Sequence, residues 1–286
     1  MSAAGAITIG DLEVDRLGYG AMRITGPGIW GPPPDEEGAV AVLRRAVELG
    51  VELIDTADSY GPNVSEELIA RALHPYDGIV IATKGGLTRS GPGVWNRDGR
   101  PEHLREALEG SLRRLRVDCI DLYQLHRIDP NVAIETSLEA LVQARAAGKI
   151  RHIGLSNVSG QELDVACEMV EIVSVQNRYS VLDREDDALV ALCEERGIAY
   201  IPWFPLAAGR AGESEESVDA VAAAHGATNG QVALAWLLAR SPAIVPIPGT
   251  SRIDHLEENL AAAELVLSPQ ELRELDRAAP AGPPGR

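Results

Sequence analysis

Four residues with complementary chemistry stand at or just past the ends of apolar runs. Asp55 closes the run Val51-Glu52-Leu53-Ile54, and Tyr60-Gly61 follow in a polar stretch. Lys84 follows Ile79-Val80-Ile81-Ala82-Thr83, and His126 follows Ile120-Asp121-Leu122-Tyr123-Gln124-Leu125. A free phenol has a pKa of about 10, too high for ready proton transfer near neutrality. A nearby cation stabilises the phenolate and lowers that value. Lys84 can supply the cation, Asp55 can keep it charged and in place, and His126 can orient a substrate oxygen or relay a proton. Together they make a general acid for a carbonyl oxygen, useful when a hydride reaches the carbonyl carbon at the same time. Singly, they read as an ion pair, a loop tyrosine and a satisfied histidine. Only their convergence makes a site.

Convergence requires parallel strands whose carboxyl ends share one face. Apolar pieces at 7–9 and 12–14, split by Gly10-Asp11, read as a hairpin. Strands are predicted at 17–22, 51–55, 79–83, 120–125, 150–154, 172–176, 198–203 and 243–247. Helices are predicted at 35–49, 65–73, 101–115, 132–147, 161–170, 185–196, 215–224, 229–239, 253–262 and 269–277. Asp35 is a natural N-cap, Pro101 opens a helix, and Gly50, Gly148 and Gly197 stop others. Residues 87–100 read as a polar, glycine-rich loop. Alternating apolar strands and helices mean a parallel sheet, and eight such strands argue for closure. The expected fold is α/β: a (β/α)8 TIM barrel with a short N-terminal β-hairpin and a short C-terminal tail, one domain over 1–286. An open doubly wound sheet is the runner-up. Its dinucleotide fingerprint is missing, because Gly18-Tyr19-Gly20 lacks the third glycine and does not open a helix. Neither a P-loop nor GxSxG occurs.

Composition narrows the partners. The 286 residues carry a net charge of −17, from 26 basic and 43 acidic side chains. Such a surface repels nucleic-acid backbones and anionic membranes, so any anionic cofactor needs a local basic pocket. Hydrophobic content of 45% fills a large core, and aromatics at 4% leave it mostly aliphatic. No apolar run approaches the roughly 18 residues of a membrane helix, and no signal peptide is expected. Cys119, Cys167 and Cys193 lack metal-ligand or CxxC spacing. A sparse, odd set points to a reducing, cytoplasmic compartment. His74, His103, His152 and His225 show no ligand spacing, and no metal is expected.

The same residues sit in a series of motifs. In order they are Leu17-Gly18-Tyr19-Gly20, Asp55-Thr56-Ala57-Asp58-Ser59-Tyr60-Gly61, Thr83-Lys84, Asp121-Leu122-Tyr123-Gln124-Leu125-His126, Gly154-Leu155-Ser156-Asn157, Val175-Gln176-Asn177, Pro205-Leu206, Ile247-Pro248-Gly249-Thr250-Ser251-Arg252 and Glu258-Asn259. Over essentially its whole length the chain resembles the aldo-keto reductases, NAD(P)H-dependent oxidoreductases on a (β/α)8 barrel.

The resemblance implies a catalytic tetrad of Asp55, Tyr60, Lys84 and His126, with Tyr60 as the acid. It implies that Ser156, Asn157 and Gln176 bond the nicotinamide carboxamide, that Trp203 stacks on the nicotinamide ring, and that Leu206 lies by the pyrophosphate. Thr250, Ser251, Arg252, His255, Glu258 and Asn259 would hold the adenosine and, with NADP, its 2′-phosphate. Gly249 allows the tight turn before a helix N-terminus, where amides can meet an anion. Arg252 is a local cation there, which favours NADP(H) over NAD(H). His255 stands where the family often has Arg.

Residues 26–33, 201–206 and 236–238 followed by 247–250 look most like bacterial members that reduce pyridoxal. Trp30 and Trp95 fall in loops on the expected catalytic face and are substrate-pocket candidates. The expected activity is hydride transfer to an aldehyde or ketone by a monomer. The alternatives are a non-catalytic nicotinamide-dinucleotide sensor or channel-type subunit, and a Schiff-base lyase using Lys84.

Overall fold

The computed structural model describes residues 4–206 and 216–277. Two antiparallel strands, β1 (Ala6–Ile9) and β2 (Leu12–Asp15), form the expected hairpin. Seven parallel strands follow: β3 (Tyr19–Gly20), β4 (Leu53–Asp55), β5 (Val80–Gly85), β8 (Ile120–Leu125), β9 (Ile150–Ser156), β10 (Ile172–Gln176) and β11 (Ala199–Tyr200). They pair in chain order, each with the next, as sequential right-handed crossovers require. An inserted antiparallel hairpin, β6 (Leu87–Gly91) with β7 (Val94–Arg97), lies between β5 and β8.

Among the described residues the barrel closes without an eighth strand. Residues 243–247 were expected to form one, but Pro246 and Pro248 have no N–H to give a ladder. The segment instead runs beside β11 through an isolated Tyr200–Ile244 bridge. Its other edge meets the start of the sheet through Gly18 N–H to Pro246 O at 3.0 Å. The result is a (β/α)8 barrel with one stitched seam. The strand expected at 17–22 also shortens, because Ala21–Ile24 turns into a 3₁₀ helix.

Helices α1 (Glu36–Glu48), α2 (Val64–Leu73), α3 (Pro101–Leu115), α4 (Ile134–Ala146), α5 (Gly160–Met169), α6 (Asp187–Arg196), α7 (Glu216–His225), α8 (Asn229–Arg240), α9 (Ile253–Ala261) and α10 (Pro269–Leu275) cover the outside. Their ends lie within a few residues of expectation for local reasons. Asp35 caps α1 by accepting from Gly38 N, and Ser159 with Glu162 forms a capping box at α5. The expected starting residue 215 and the tail beyond Arg277 lie outside the described residues. Among the described residues, no helix is long and apolar enough to cross a membrane.

The period of two within strands arranges the barrel interior. Leu53, Ala82 and Leu122 point inward and pack with Ile9, Leu12 and Val14 of the hairpin. Ile54, Ile81 and Tyr123 point outward into the larger core under the helices. Two residues beyond the inward apolar layer stand Asp55, Lys84 and Gln124, so the same alternation puts polar side chains at the carboxyl end.

Candidate active site

At that end lies a cavity of about 660 Å³. Asp55, Tyr60 and His126 line it. Lys84 does not, because it is fully buried beneath them. Its ammonium donates to both oxygens of Asp55 at 2.8 Å and to the carbonyl of Thr56 at 2.7 Å. Asp55 also accepts from Gln176 Nε2 at 2.8 Å and Gln124 Nε2 at 3.3 Å. The pair is therefore fully ringed by hydrogen bonds, which a buried ion pair requires.

Tyr60 is carried by a loop that continues β4 along β5. Thr56 N bonds Ala82 O at 2.8 Å, and Asp58 N bonds Lys84 O at 3.2 Å. The far side of the loop is fastened to the first turn of α2, where Thr56 Oγ1 donates to Ser65 Oγ at 2.7 Å. The Lys84 Nζ lies 5.3 Å from the centre of the Tyr60 ring. Tyr60 also meets His126 edge-on, with centroids 5.9 Å apart. His126 Nδ1 faces Ser59 Oγ at 3.3 Å.

One electrostatic expectation is corrected. Tyr60 was expected to have a lowered pKa, but its phenol is pushed well above the ordinary value, by burial first and by the charges of Asp55 and Asp58 next. Lys84 does not overcome this in the resting site, since its N–H groups point at Asp55 and Thr56. Burial lowers Lys84 itself, against the pull of Asp55. Burial, with the charges of Lys84, Arg127 and Arg89, also holds His126 well below the usual imidazole range. At neutral pH the site thus holds a protonated phenol and a neutral imidazole.

The opposite wall carries Ser156, Asn157, Gln176, Trp203, Leu206 and Gly249. Ser156 Oγ donates to Gln176 O at 2.8 Å, and Asn157 Nδ2 donates to Ser156 Oγ at 2.9 Å and to His126 O at 3.1 Å. The Trp203 indole N–H is buried without a partner among the described residues. Gly249 presses on the first strand: a Cβ there would stand 2.5 Å from Gly20 O. Arg23 lines the cavity beside this contact and forms no ion pair among the described residues. A flat apolar face, an unused donor and a lone cation fit an aromatic ring joined to a phosphate, as in a nicotinamide dinucleotide.

Thr250, Ser251, Arg252, His255, Glu258 and Asn259 lie beyond the cavity wall, at the turn into α9 and on it. Arg252 is exposed and paired with Asp254, with Nε 2.9 Å from Oδ1. Glu258 accepts from Thr228 Oγ1 at 2.7 Å, and Thr250 and Asn259 are buried. The two tryptophans divide. Trp95 lines the cavity, 6.3 Å from Tyr60 between ring centres. Trp30 does not, and Ile29 takes that place.

Several site residues escaped the sequence reading. Arg89 is the most connected. It donates to Ser59 O at 3.0 Å, Ile29 O at 2.9 Å, Gly28 O at 3.0 Å and Val94 O at 2.8 Å. Its guanidinium lies 3.6 Å from the centre of the Trp95 ring. One side chain therefore ties three loops together next to Tyr60. Arg89→Met, which keeps the stem and loses the fork, is expected to lower kcat/KM about tenfold through misplaced loops. Steady-state kinetics would show this, with faster amide exchange in residues 87–97. Asp58 was also missed. It is buried, and burial with the nearby Glu66 charge pushes its carboxyl up to about 8.

Residues 16–280 match the Aldo/keto reductase family. The chain is 47% identical over 275 residues to an uncharacterised oxidoreductase of Schizosaccharomyces pombe, across 96% of this chain and 90% of that protein. It is 44% identical over 281 residues to pyridoxine 4-dehydrogenase of Escherichia coli, across 96% and 98%. Among solved structures, an aldo-keto reductase from Klebsiella pneumoniae in complex with NADPH aligns with a TM-score of 0.82 at 27% identity, across 96% and 95%. By sequence, barrel and relatives alike, this chain belongs to the aldo/keto reductase family of oxidoreductases.

Proposed function

We propose that the protein reduces an aldehyde or ketone with NADPH, using Tyr60 as proton donor. The observation that supports this best is a protonated phenol lining a cavity directly above a fully bonded Asp55–Lys84 pair. A reduced nicotinamide, when bound, supplies the hydride, two electrons with one proton, to the carbonyl carbon and leaves oxidised. Tyr60 Oη gives its proton to the carbonyl oxygen as negative charge grows there, and solvent in the cavity returns a proton to it. The Lys84 charge below the ring is placed to stabilise the phenolate formed in that step. Neutral His126 can hold the carbonyl oxygen by hydrogen bonding without competing as an acid. Asp55 keeps Lys84 charged and aimed.

Under this reading Ser156, Asn157 and Gln176 hold the carboxamide, Trp203 covers the ring, and Leu206, Gly249 and Arg23 line the phosphate path. The turn at Thr250–Arg252 and the start of α9 hold the adenosine end. Mixing protein, NADPH and 4-nitrobenzaldehyde, and following NADPH absorbance, tests the activity. Pyridoxal belongs in the same panel, given the E. coli relative's name. Tight NADPH binding with no turnover on any carbonyl would favour the sensor reading instead. The lyase reading is weakened by Lys84, whose amine is fully buried with three hydrogen bonds made.

NADP(H) is the cofactor we favour, through Arg252. Its pairing with Asp254 means that a 2′-phosphate must share it. Arg252→Ala is expected to weaken NADPH about tenfold and NADH little, since only NADPH carries the extra phosphate. Equal losses in fluorescence titrations would remove Arg252 from that role. We place the enzyme in a reducing compartment, the cytoplasm, as a monomer. The exposed thiols of Cys119 and Cys167 are free, as is buried Cys193.

A further inference from the structure

We infer that the substrate end of the cavity is built for a carbonyl compound bearing an anionic group, a carboxylate or phosphate, bound by Arg97 and Arg127. This names the substrate class of the reductase site proposed above and rests on that reading.

The cavity inverts the charge of the protein. Against a net charge of −17 for the whole chain, the cavity wall holds Arg23, Arg97 and Arg127. Among the described lining residues the single carboxylate is Asp55, which is already matched by Lys84. Some arginines elsewhere have carboxylate partners, as Arg114 has Glu66, Arg184 has Asp187 and Arg151 has Asp11, while Arg16 and Arg89 spend their forks on several backbone carbonyls each. Neither Arg97 nor Arg127 has an ion pair among the described residues. Arg127 donates to Asn157 Oδ1 at 3.0 Å, and Arg97 donates to Ile128 O at 3.4 Å. Both partners are neutral, so both charges stay uncompensated. Arg127 is half-buried, and its guanidinium is held down by that burial and by the like charge of Arg97. Arg127 is the partly dehydrated member and Arg97 the exposed one, so an anion reaching both gains most from Arg127 and meets Arg97 at the cavity mouth.

The placement selects the carbonyl side of the cavity. Alternation along β7 turns Trp95 and Arg97 to the cavity, while Asn96 turns away to Ser90 Oγ. Trp95 stands 6.3 Å from Tyr60 and 6.4 Å from His126, and Arg97 lines the same cavity two residues further along β7. Arg127 directly follows His126 in the chain. Arg23, by contrast, stands beside Gly249 on the side assigned to the dinucleotide. Planar guanidinium forks match carboxylate and phosphate oxygens in pairs, and an electropositive mouth on an acidic protein focuses anions toward it.

The test uses the full-length enzyme with 4-formylbenzoate and its neutral methyl ester, two aldehydes of similar shape in which the ester is intrinsically the more electrophilic, so intrinsic reactivity works against the expected result. The expected result is a kcat/KM for the anion at least about tenfold above the ester, carried by KM and eroded by salt. Arg97→Gln should collapse that preference about tenfold, and Arg97→Lys should retain part of it. Turnover of both aldehydes with no anion preference, or a preference unmoved by Arg97→Gln, overturns the inference and leaves the reductase reading intact. Turnover of neither aldehyde overturns the reductase reading. Calorimetric binding of benzoate against benzamide to the NADP-loaded enzyme then decides the subsite. Benzoate binding lost in Arg97→Gln supports it, and binding that ignores the charge or the substitution overturns it.

Discussion

Tyr60→Phe is expected to lower kcat for carbonyl reduction by about 10²–10⁴, the range for losing a positioned general acid. NADPH affinity should stay near wild type, because on the proposed reading the phenol oxygen meets the carbonyl and not the dinucleotide. Stability should also hold. A buried tyrosine usually has a bonded hydroxyl, whose loss costs stability. Tyr60 Oη has no hydrogen bond among the described residues, and its ring contacts with Trp95 and His126 survive in phenylalanine. The variant thus separates catalysis from folding: melting and NADPH titration unchanged, turnover gone. Undiminished turnover would exclude Tyr60 as the donor. The raised phenol pKa adds a signature. Loss of the donor by ionisation should begin above the ordinary value of about 10, so this group adds no alkaline fall near neutrality.

Lys84→Met is expected to cost both activity and stability. Truncating one member of a buried ion pair leaves the other charge unpaired and typically costs about 3–5 kcal/mol. Here Asp55 would keep only the amide donors of Gln124 and Gln176. For a chain of this size the loss corresponds to a fall in Tm on the order of 10 °C. The double variant Asp55→Asn/Lys84→Met should recover much of that stability, because a neutral amide needs no ammonium partner. It should recover none of the turnover. Calorimetry on the wild type, both single variants and the double closes the cycle. A Lys84→Met protein that melts like wild type would show that the pair contributes nothing to the fold.

Much of this site was readable because it is local in the strands. Leu53-Ile54-Asp55, Ala82-Thr83-Lys84 and Leu122-Tyr123-Gln124 obey a period of two, so one alternation sets both the apolar interior and the polar layer above it. Strand ends could therefore be read from where apolar runs stop. What could not be read depends on distant backbone. The β6–β7 hairpin looks like a polar loop because β7 is exposed along its length. It is held instead by Arg89 reaching carbonyls about 30 and 60 residues away. The closing segment read as a strand because its apolar pattern is right; its prolines deny it a ladder. The Tyr60 pKa was misjudged because proximity to a cation was visible in the sequence, whereas the direction of that cation's N–H groups was not. Arg97 and Arg127 are ordinary loop and strand arginines until the fold sets them beside each other.

The stitched seam has a thermodynamic consequence. Six of the junctions around the barrel are strand ladders, but the one joining the 243–249 segment to Gly18 and Gly20 has few backbone bonds. Gly20 and Gly249 are the two lips of that junction, and both line the cavity. A dinucleotide resting on both would be a clasp as well as a reagent. Its affinity would then count toward closure of the barrel, rising with the logarithm of its free concentration. The total dinucleotide concentration would thereby add to the stability of the folded barrel, while its reduced share would set the rate of turnover.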